Sequence, residues 1–295
     1  MSDTAVFERQ RGHLRNIAYR MLGEMAAAED VVQEAWLRWQ RADAKDIRDP
    51  RAWLSAATVR LSLDALRKLR ARRETYVGPW LPEPILPDDA RAFAADAPAA
   101  RAELASDLSL ALLHVLERLS PEERAALILH DAFDCDYAEI AAALEKSEAA
   151  CRKLVTRARE HVRTGRPKRR ATPEQHRDLL LRFAAASVST DPKELETLFA
   201  PDIITYTDGG GRVAAALNPV YGADKVIRFF LGLARKYAGK GVPGLSLIDI
   251  NGEPGLLLTL DGAIFSALTI DCDGDRIAAV YAVRNPEKLS RLATY

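Results

Sequence analysis

The chain has 295 residues, 48 % of them hydrophobic and 28 % charged, and its 42 lysines and arginines equal its 42 aspartates and glutamates. This is the balance of a globular protein, which excludes wholesale disorder, at a length that calls for more than one domain. Cys135, Cys151 and Cys272 are isolated, with no Cys-x-x-Cys pair, which argues against a disulfide framework, a structural zinc or a thiol redox switch.

The N-terminus lacks a basic-then-apolar signal, and no run approaches the roughly 20 apolar residues of a membrane span, so a cytoplasmic location is expected. The zero net charge conceals an uneven layout. Residues 1–74 carry 15 basic and 11 acidic side chains, residues 75–106 carry 2 and 5, and residues 146–170 carry 10 and 2. A basic block in a neutral chain fits a polyanion-binding face, because phosphate neutralisation dominates non-specific affinity for nucleic acid. It equally fits a solvated helix end.

In chain order, Phe7, Leu14, Ile17, Ala18, Met21 and Leu22 recur at helical spacing, and Val31, Val32, Ala35, Trp36 and Trp39 repeat the pattern over residues 28–39. Asp49-Pro50 reads as an N-cap followed by a first-turn proline. A third helix is expected from about Arg51 to Glu74, with Trp53, Leu54, Ala57, Leu61, Leu66 and Leu69 on a core face and Arg60, Arg67, Lys68, Arg70, Arg72 and Arg73 on a cationic one. Pro79, Pro82, Pro84, Pro87 and Pro98 then forbid an uninterrupted helix. This linker spends Tyr76, Trp80 and Leu81 where a flexible tether would be polar, so it is expected to dock on something.

Helices resume near Leu104, with Leu108, Leu112, Val115, Leu116 and Leu119 on one face. Ser120-Pro121-Glu122-Glu123 carries a capping box that starts a helix to about His130. A short helix over residues 136–144, a turn at Glu145-Lys146 and a basic helix capped by Ser147 form a helix-turn-helix pattern that lacks the usual turn glycine. Arg152, Lys153, Thr156 and Arg157 project from its second helix, suited to bases and phosphates. After a basic stretch at residues 165–173, helices are expected over 173–187, 192–199 and 222–237. A strand is expected over 202–207, and four more near 244–250, 255–260, 263–271 and 275–283, separated by Asn251-Gly252, Asp261-Gly262 and Asp273-Gly274 turns. Helices followed by a curved antiparallel sheet imply an α+β domain shaped as a cone.

Residues 28–36 (AEDVVQEAW), 49–54 (DPRAWL), 119–124 (LSPEER) and 137–141 (YAEIA) together resemble an extracytoplasmic-function sigma factor of RNA polymerase, in the order of that family's regions 2 and 4. The WLPEP sequence at Trp80 to Pro84, the DGGGR turn at Asp208 to Arg212 and the NPEKL tail at Asn285 to Leu289 resemble the subgroup with a C-terminal SnoaL-like extension of the NTF2-like fold. The resemblance implies a multidomain chain: region 2 over residues 1–74, a Pro-rich linker over 75–103, region 4 over 104–165 and a SnoaL-like regulatory domain over 166–295. The first two folded parts are all-α and the last is an α+β cone.

The same resemblance implies an alternative sigma factor that binds RNA polymerase core and promoter DNA. Asp30, Gln33, Glu34 and Arg38 would meet the β′ clamp helices, region 4 the β flap, Arg60, Arg67, Lys68 and Arg70 the −10 element, and Arg152, Lys153, Thr156 and Arg157 the −35 element. It further implies cis regulation by the extension in place of a separate anti-sigma protein. Trp80, Leu81 and Pro82 are expected to dock near Gly209, Gly210 and Gly211 beside Asp208, with Arg212 available for Glu83. No membrane contact, cofactor or metal is expected, nor catalysis, since His176, the only histidine of the extension, precedes the sheet and its acids mostly sit in turns, at Asp208, Asp261 and Asp273. The rival reading is a helix-turn-helix regulator fused to a ligand-binding or catalytic SnoaL-like domain. A second basic helix at residues 51–73 separates the two, because a simple repressor needs no −10-reading module.

Overall fold

Three helices open the chain: α1 (Asp3–Leu22), α2 (Met25–Arg41) and α3 (Pro50–Arg73). Gly23, at φ 70°, turns α1 into α2, a backbone angle that glycine adopts without a Cβ penalty. In this computed structural model the described residues are 3–42, 47, 49–89, 93, 108–165, 171–189 and 191–294. The expected helix start near Leu104, the remainder of the linker and the basic residues 166–170 lie outside them. The chain divides into two compact units, one built from residues 1–75, 88–108 and 112–165 and the other from 76–87, 109–111 and 166–295.

In the first unit, Phe7, Leu14, Ile17, Ala18, Met21 and Leu22 of α1 are buried, as are Val31, Val32, Ala35 and Trp39 of α2. The Asp49 side chain caps α3, accepting from the amides of Arg51 at 2.9 Å and Ala52 at 3.2 Å. The later helices are α4 (Leu110–Leu116), α5 (Pro121–Leu127), α6 (Tyr137–Leu144) and α7 (Glu148–Thr164). The Ser120–Glu123 capping box forms, and α5 loosens into a π turn over Ile128–Ala132. Asp136 and Glu139 form a second capping box at α6. Between α6 and α7, Glu145 itself takes the left-handed conformation, φ 55°, that a glycine would fill more easily. This accounts for a helix-turn-helix with no turn glycine.

One expectation for α3 is revised. Instead of one core face and one cationic face, Leu54, Ser55, Ala57, Thr58, Val59, Ser62, Leu63 and Leu66 are all buried. That band is too wide for a single apolar stripe, and it arises because α3 packs against α1 and α2 and also against α5 and α6.

The second unit contains α8 (Pro173–Ser189), α9 (Pro192–Leu198), β1 (Phe199–Asp208), β2 (Val220–Tyr221) and α10 (Ala223–Tyr237). Strands β3 (Pro243–Ile250), β4 (Glu253–Leu260), β5 (Ala263–Asp273) and β6 (Arg276–Val283) follow, then a single turn, α11 (Pro286–Leu289). The sheet order is β2-β1-β6-β5-β4-β3. It is mixed rather than wholly antiparallel, because β1 pairs parallel to β6 with Thr205 opposite Val280 and Thr207 opposite Ala282. The β3–β6 meander is antiparallel throughout, as its turn sequences require.

Two cores flank this sheet. Leu179, Phe183, Leu198, Phe230, Leu268 and Val280 belong to the one beneath α8, α9 and α10. Tyr206, Ile248, Leu257, Tyr281 and Val283 belong to the other, and Leu81 of the linker completes it. The linker is thus an element of the α+β unit, which is the reason its residues are apolar. Among the described residues no helix is long and apolar enough to cross a membrane, and no group of three His, Cys, Asp or Glu side chains could hold a metal ion.

Candidate nucleic-acid interface and linker clasp

On α2, Asp30, Gln33 and Arg38 are exposed opposite the buried Val31, Val32 and Ala35, while Glu34 is half-buried and accepts from Arg38 at 3.2 Å. The helix therefore presents a polar ridge. On α7, Cys151, Val155, Ala158 and Val162 are buried, leaving Arg152, Lys153, Thr156 and Arg157 on the open face. Arg152 pairs with Glu148 at 3.0 Å and lies 4.4 Å from the Tyr137 ring centre, and the Thr156 hydroxyl donates to the Arg152 carbonyl. Lys153 and Arg157 have no polar partner among the described residues. Arg159, which also projects, is bound by Asp131. Burial pushes the Asp131 carboxyl up, but hydrogen bonds from Arg159 and His130 outweigh it and hold the group below its usual range.

The basic residues of α3 divide into two sets. Lys68 is exposed and Arg67 pairs with Asp64 at 3.1 Å, so both remain on the surface. Arg60 instead donates to the carbonyls of Ala142, at 2.7 Å, and Ala143, at 3.1 Å, at the end of α6. Arg70 donates to the carbonyls of Glu117 and Leu119, which follow α4. Next to it Arg73 binds Glu117 as well as the Leu22 carbonyl, at 2.7 Å. Glu117 also takes the fully buried Arg124, whose Nε donates to the Arg20 carbonyl at 2.9 Å. Burial would raise the Glu117 carboxyl, yet Arg124 and Arg73 together hold it below its usual range. Two of the four side chains expected at the −10 element thus close the three-helix bundle onto the helix-turn-helix bundle. Sequence reasoning missed this lock because most of its acceptors are backbone carbonyls, which no residue pattern marks.

In the second unit the three marked motifs converge on one buried ion pair. The Asp208 carboxylate, at the end of β1, accepts from Lys288 Nζ at 2.7 Å, the Leu81 amide at 2.9 Å, the Tyr76 hydroxyl at 2.6 Å and the Gly210 amide at 3.1 Å. Asp208 is 0 % and Lys288 7 % exposed, so this charge is fully compensated away from solvent. Lys288 Nζ also donates to the Leu81 carbonyl and lies 4.1 Å from the Trp80 ring centre. Asn285 Nδ2 donates to the Tyr76 oxygen at 2.9 Å. A few residues on, the Ile85 amide donates to Asn251 Oδ1 at 3.0 Å and the Ile85 carbonyl accepts from the Asn251 amide.

The glycine turn serves the same clasp from a different side. Gly211, at φ 70°, would place an added Cβ 3.1 Å from Val77, and at Gly210 it would collide with the Asn285 amide. Tyr76 and Val77 therefore pack on the glycines themselves, while Leu81 reaches the turn through its amide bond to Asp208. The expected Arg212–Glu83 contact is replaced: Arg212 pairs with Glu287 at 2.9 Å, and the buried Glu83 pairs with Arg291 at 3.3 Å.

Two family models match the helical part of the chain. The model of sigma-70 region 2 matches residues 6–73 and that of sigma-70 region 4 matches residues 109–162. The chain is 40 % identical to the ECF RNA polymerase sigma factor SigJ of Mycobacterium tuberculosis, over 98 % of this chain and 93 % of that protein. It is 31 % identical to the probable ECF RNA polymerase sigma factor SigI of the same species, over 98 % and 95 % of the two chains. The crystal structure of the M. tuberculosis SigJ protein superposes with a TM-score of 0.76 at 37 % identity, covering 98 % of each chain.

Proposed function

The chain belongs to the extracytoplasmic-function sigma factors of RNA polymerase, alternative factors that direct transcription initiation, and from that premise we propose that its C-terminal domain regulates it in cis by capturing the linker between regions 2 and 4. The rival repressor reading is not favoured, because it has no use for a region 2. In the proposed roles, the α2 ridge of Asp30, Gln33, Glu34 and Arg38 meets the polymerase clamp. Arg67 and Lys68, joined by Arg60 and Arg70 once freed, serve the −10 element, and Lys153 and Arg157, with Arg152 and Thr156, serve the −35 element.

The observation that carries the proposal is the engagement of Arg60 and Arg70 by carbonyls of the helix-turn-helix bundle. Carbonyls so placed compete with phosphate for these donors, more completely at the half-buried Arg70 than at Arg60, whose side chain is 45 % exposed, so the closed arrangement is the less active one. Capture of residues 76–87 supports closure, because it removes twelve residues, about 40 Å of contour at ~3.3 Å each, from the tether that separates the two regions. A shorter tether raises the effective concentration of one region near the other. Transcription by core polymerase tests this directly: a chain ended after residue 165 should initiate from the selected promoter at lower protein concentration than the full chain. Equal activity would remove the case for cis control.

A further inference from the structure

Arg284, the residue after β6, is only 8 % exposed, and its side-chain partners are neutral. It donates from Nη1 to the Ala214 carbonyl and from Nη2 to the Tyr237 hydroxyl at 3.2 Å. Its Nε is buried with no hydrogen-bond partner among the described residues. The guanidinium carbon lies 4.1 Å from the Phe265 ring centre and 5.6 Å from that of Tyr237, and the amines of Lys236 and Lys240 lie 5.7 and 5.9 Å from the Tyr237 centre. No carboxylate pairs with any of these three cations among the described residues. A buried guanidinium is normally compensated by an anion, and aromatic faces return only part of its lost hydration.

The setting is the interior face of the sheet. Val280 and Ala282 belong to the core beneath α10, so alternation along β6 continues that row to Arg284. On the neighbouring strand, Thr205 and Thr207 stand opposite Val280 and Ala282. Thr205 is fully buried, and its hydroxyl also has no partner among the described residues. An otherwise apolar interior therefore ends in a polar row with one buried guanidinium, beside which the exposed Lys236 and Lys240 stand near the Tyr237 ring.

We propose that Arg284, Tyr237, Phe265, Lys236 and Lys240 form a binding site for a small organic carboxylate with an apolar or aromatic body. The planar guanidinium matches a carboxylate, and the two rings match its body. Binding replaces the Ala214 carbonyl as the acceptor. Ala214 lies in the loop whose Gly211 packs on Val77 and whose Ala216 and Leu217 lie against Gly78. Occupancy at Arg284 is thereby transmitted to the linker clasp, a step that rests on the regulatory reading above.

The test is calorimetric titration of the full-length protein with hexanoate, benzoate and inorganic phosphate at fixed ionic strength, with amide exchange at Leu81 followed in parallel. Hexanoate or benzoate should saturate one site. Arg284→Lys should weaken that binding at least about tenfold, because the fork is lost while the charge stays. Lys236→Gln with Lys240→Gln, at exposed positions that spare the fold, should weaken it several-fold and flatten its salt dependence. Saturation by neither carboxylate, by phosphate alone, or with unchanged affinity in both variants overturns the site. Carboxylate binding that leaves Leu81 exchange unaltered overturns its link to the clasp, whereas a failed titration leaves the clasp reading standing.

Discussion

The clasp can be weakened by one atom. Tyr76→Phe deletes the hydroxyl that donates to Asp208 Oδ1 at 2.6 Å and accepts from Asn285 at 2.9 Å, while keeping the ring beside Lys288. Asp208 retains Lys288, the Leu81 amide and the Gly210 amide, so the domain should remain folded. A hydrogen bond to a charged group contributes about 1.5–3 kcal/mol. A loss near 2 kcal/mol corresponds to roughly a 30-fold rise in the open population of the linker. The Leu81 amide reports it, because its bond to Asp208 breaks when the clasp opens. In hydrogen exchange followed by mass spectrometry or NMR, its protection should fall by about that factor, while the ladder amides of β5 and β6 keep theirs as a control for global unfolding. The Ile85 amide, held separately by Asn251, should respond less. Unchanged protection at Leu81 in a folded variant would refute the assignment of Asp208 as the clasp.

Further outcomes follow from the first unit. Glu117→Gln leaves the fully buried Arg124 without its carboxylate, while Arg73 keeps Glu24 at 3.3 Å, and should cost about 3–5 kcal/mol, read as a lower urea midpoint. Lys153→Ala with Arg157→Ala removes two unpaired cations of α7, so −35 binding should weaken and the slope of log K against log salt should flatten by about 2. His13 bonds to Ser55 at 2.9 Å in the core, and burial, aided by Arg51, lowers its pKa from 6.5 to about 4. The unfolded chain therefore binds the extra proton first. The share of stability linked to His13 should be flat above pH 6.5 and fall by about 3 kcal/mol as pH drops from 6.5 to 4; His114, lowered by burial to about 4 as well, adds a like fall, so His13→Gln should reduce the slope without abolishing it.

Much of this architecture is legible in the residues. Helical spacing marks the buried faces of α1 and α2, and Asp49-Pro50 and Ser120-Pro121 cap their helices as their chemistry requires. The turns at Asn251-Gly252 and Asp261-Gly262 adopt positive φ at both residues, as tight hairpins need. The apolar character of the linker foretells docking, whereas its meeting with Asp208 to Arg212 is implied by the resemblance of that turn to the family subgroup and not by the residues alone. The partners within that neighbourhood were not legible. A carboxylate such as Asp208 can take any nearby donor, and which one arrives depends on tertiary placement of Lys288 and Tyr76. The double burial of α3 was equally hidden, since Ser55, Thr58 and Ser62 read as polar while their small size suits close helix packing. Arg60 and Arg70 look identical to Lys68 in sequence, and only the structure separates bound from unbound cations.

In the proposed cis control, linker capture holds regions 2 and 4 in the closed arrangement. Its most direct test is transcription with core polymerase at limiting protein, comparing the native chain with Tyr76→Phe on the same selected promoter. Faster Leu81 exchange in the variant should be accompanied by more transcript at equal concentration; faster exchange with equal or less transcript would contradict it.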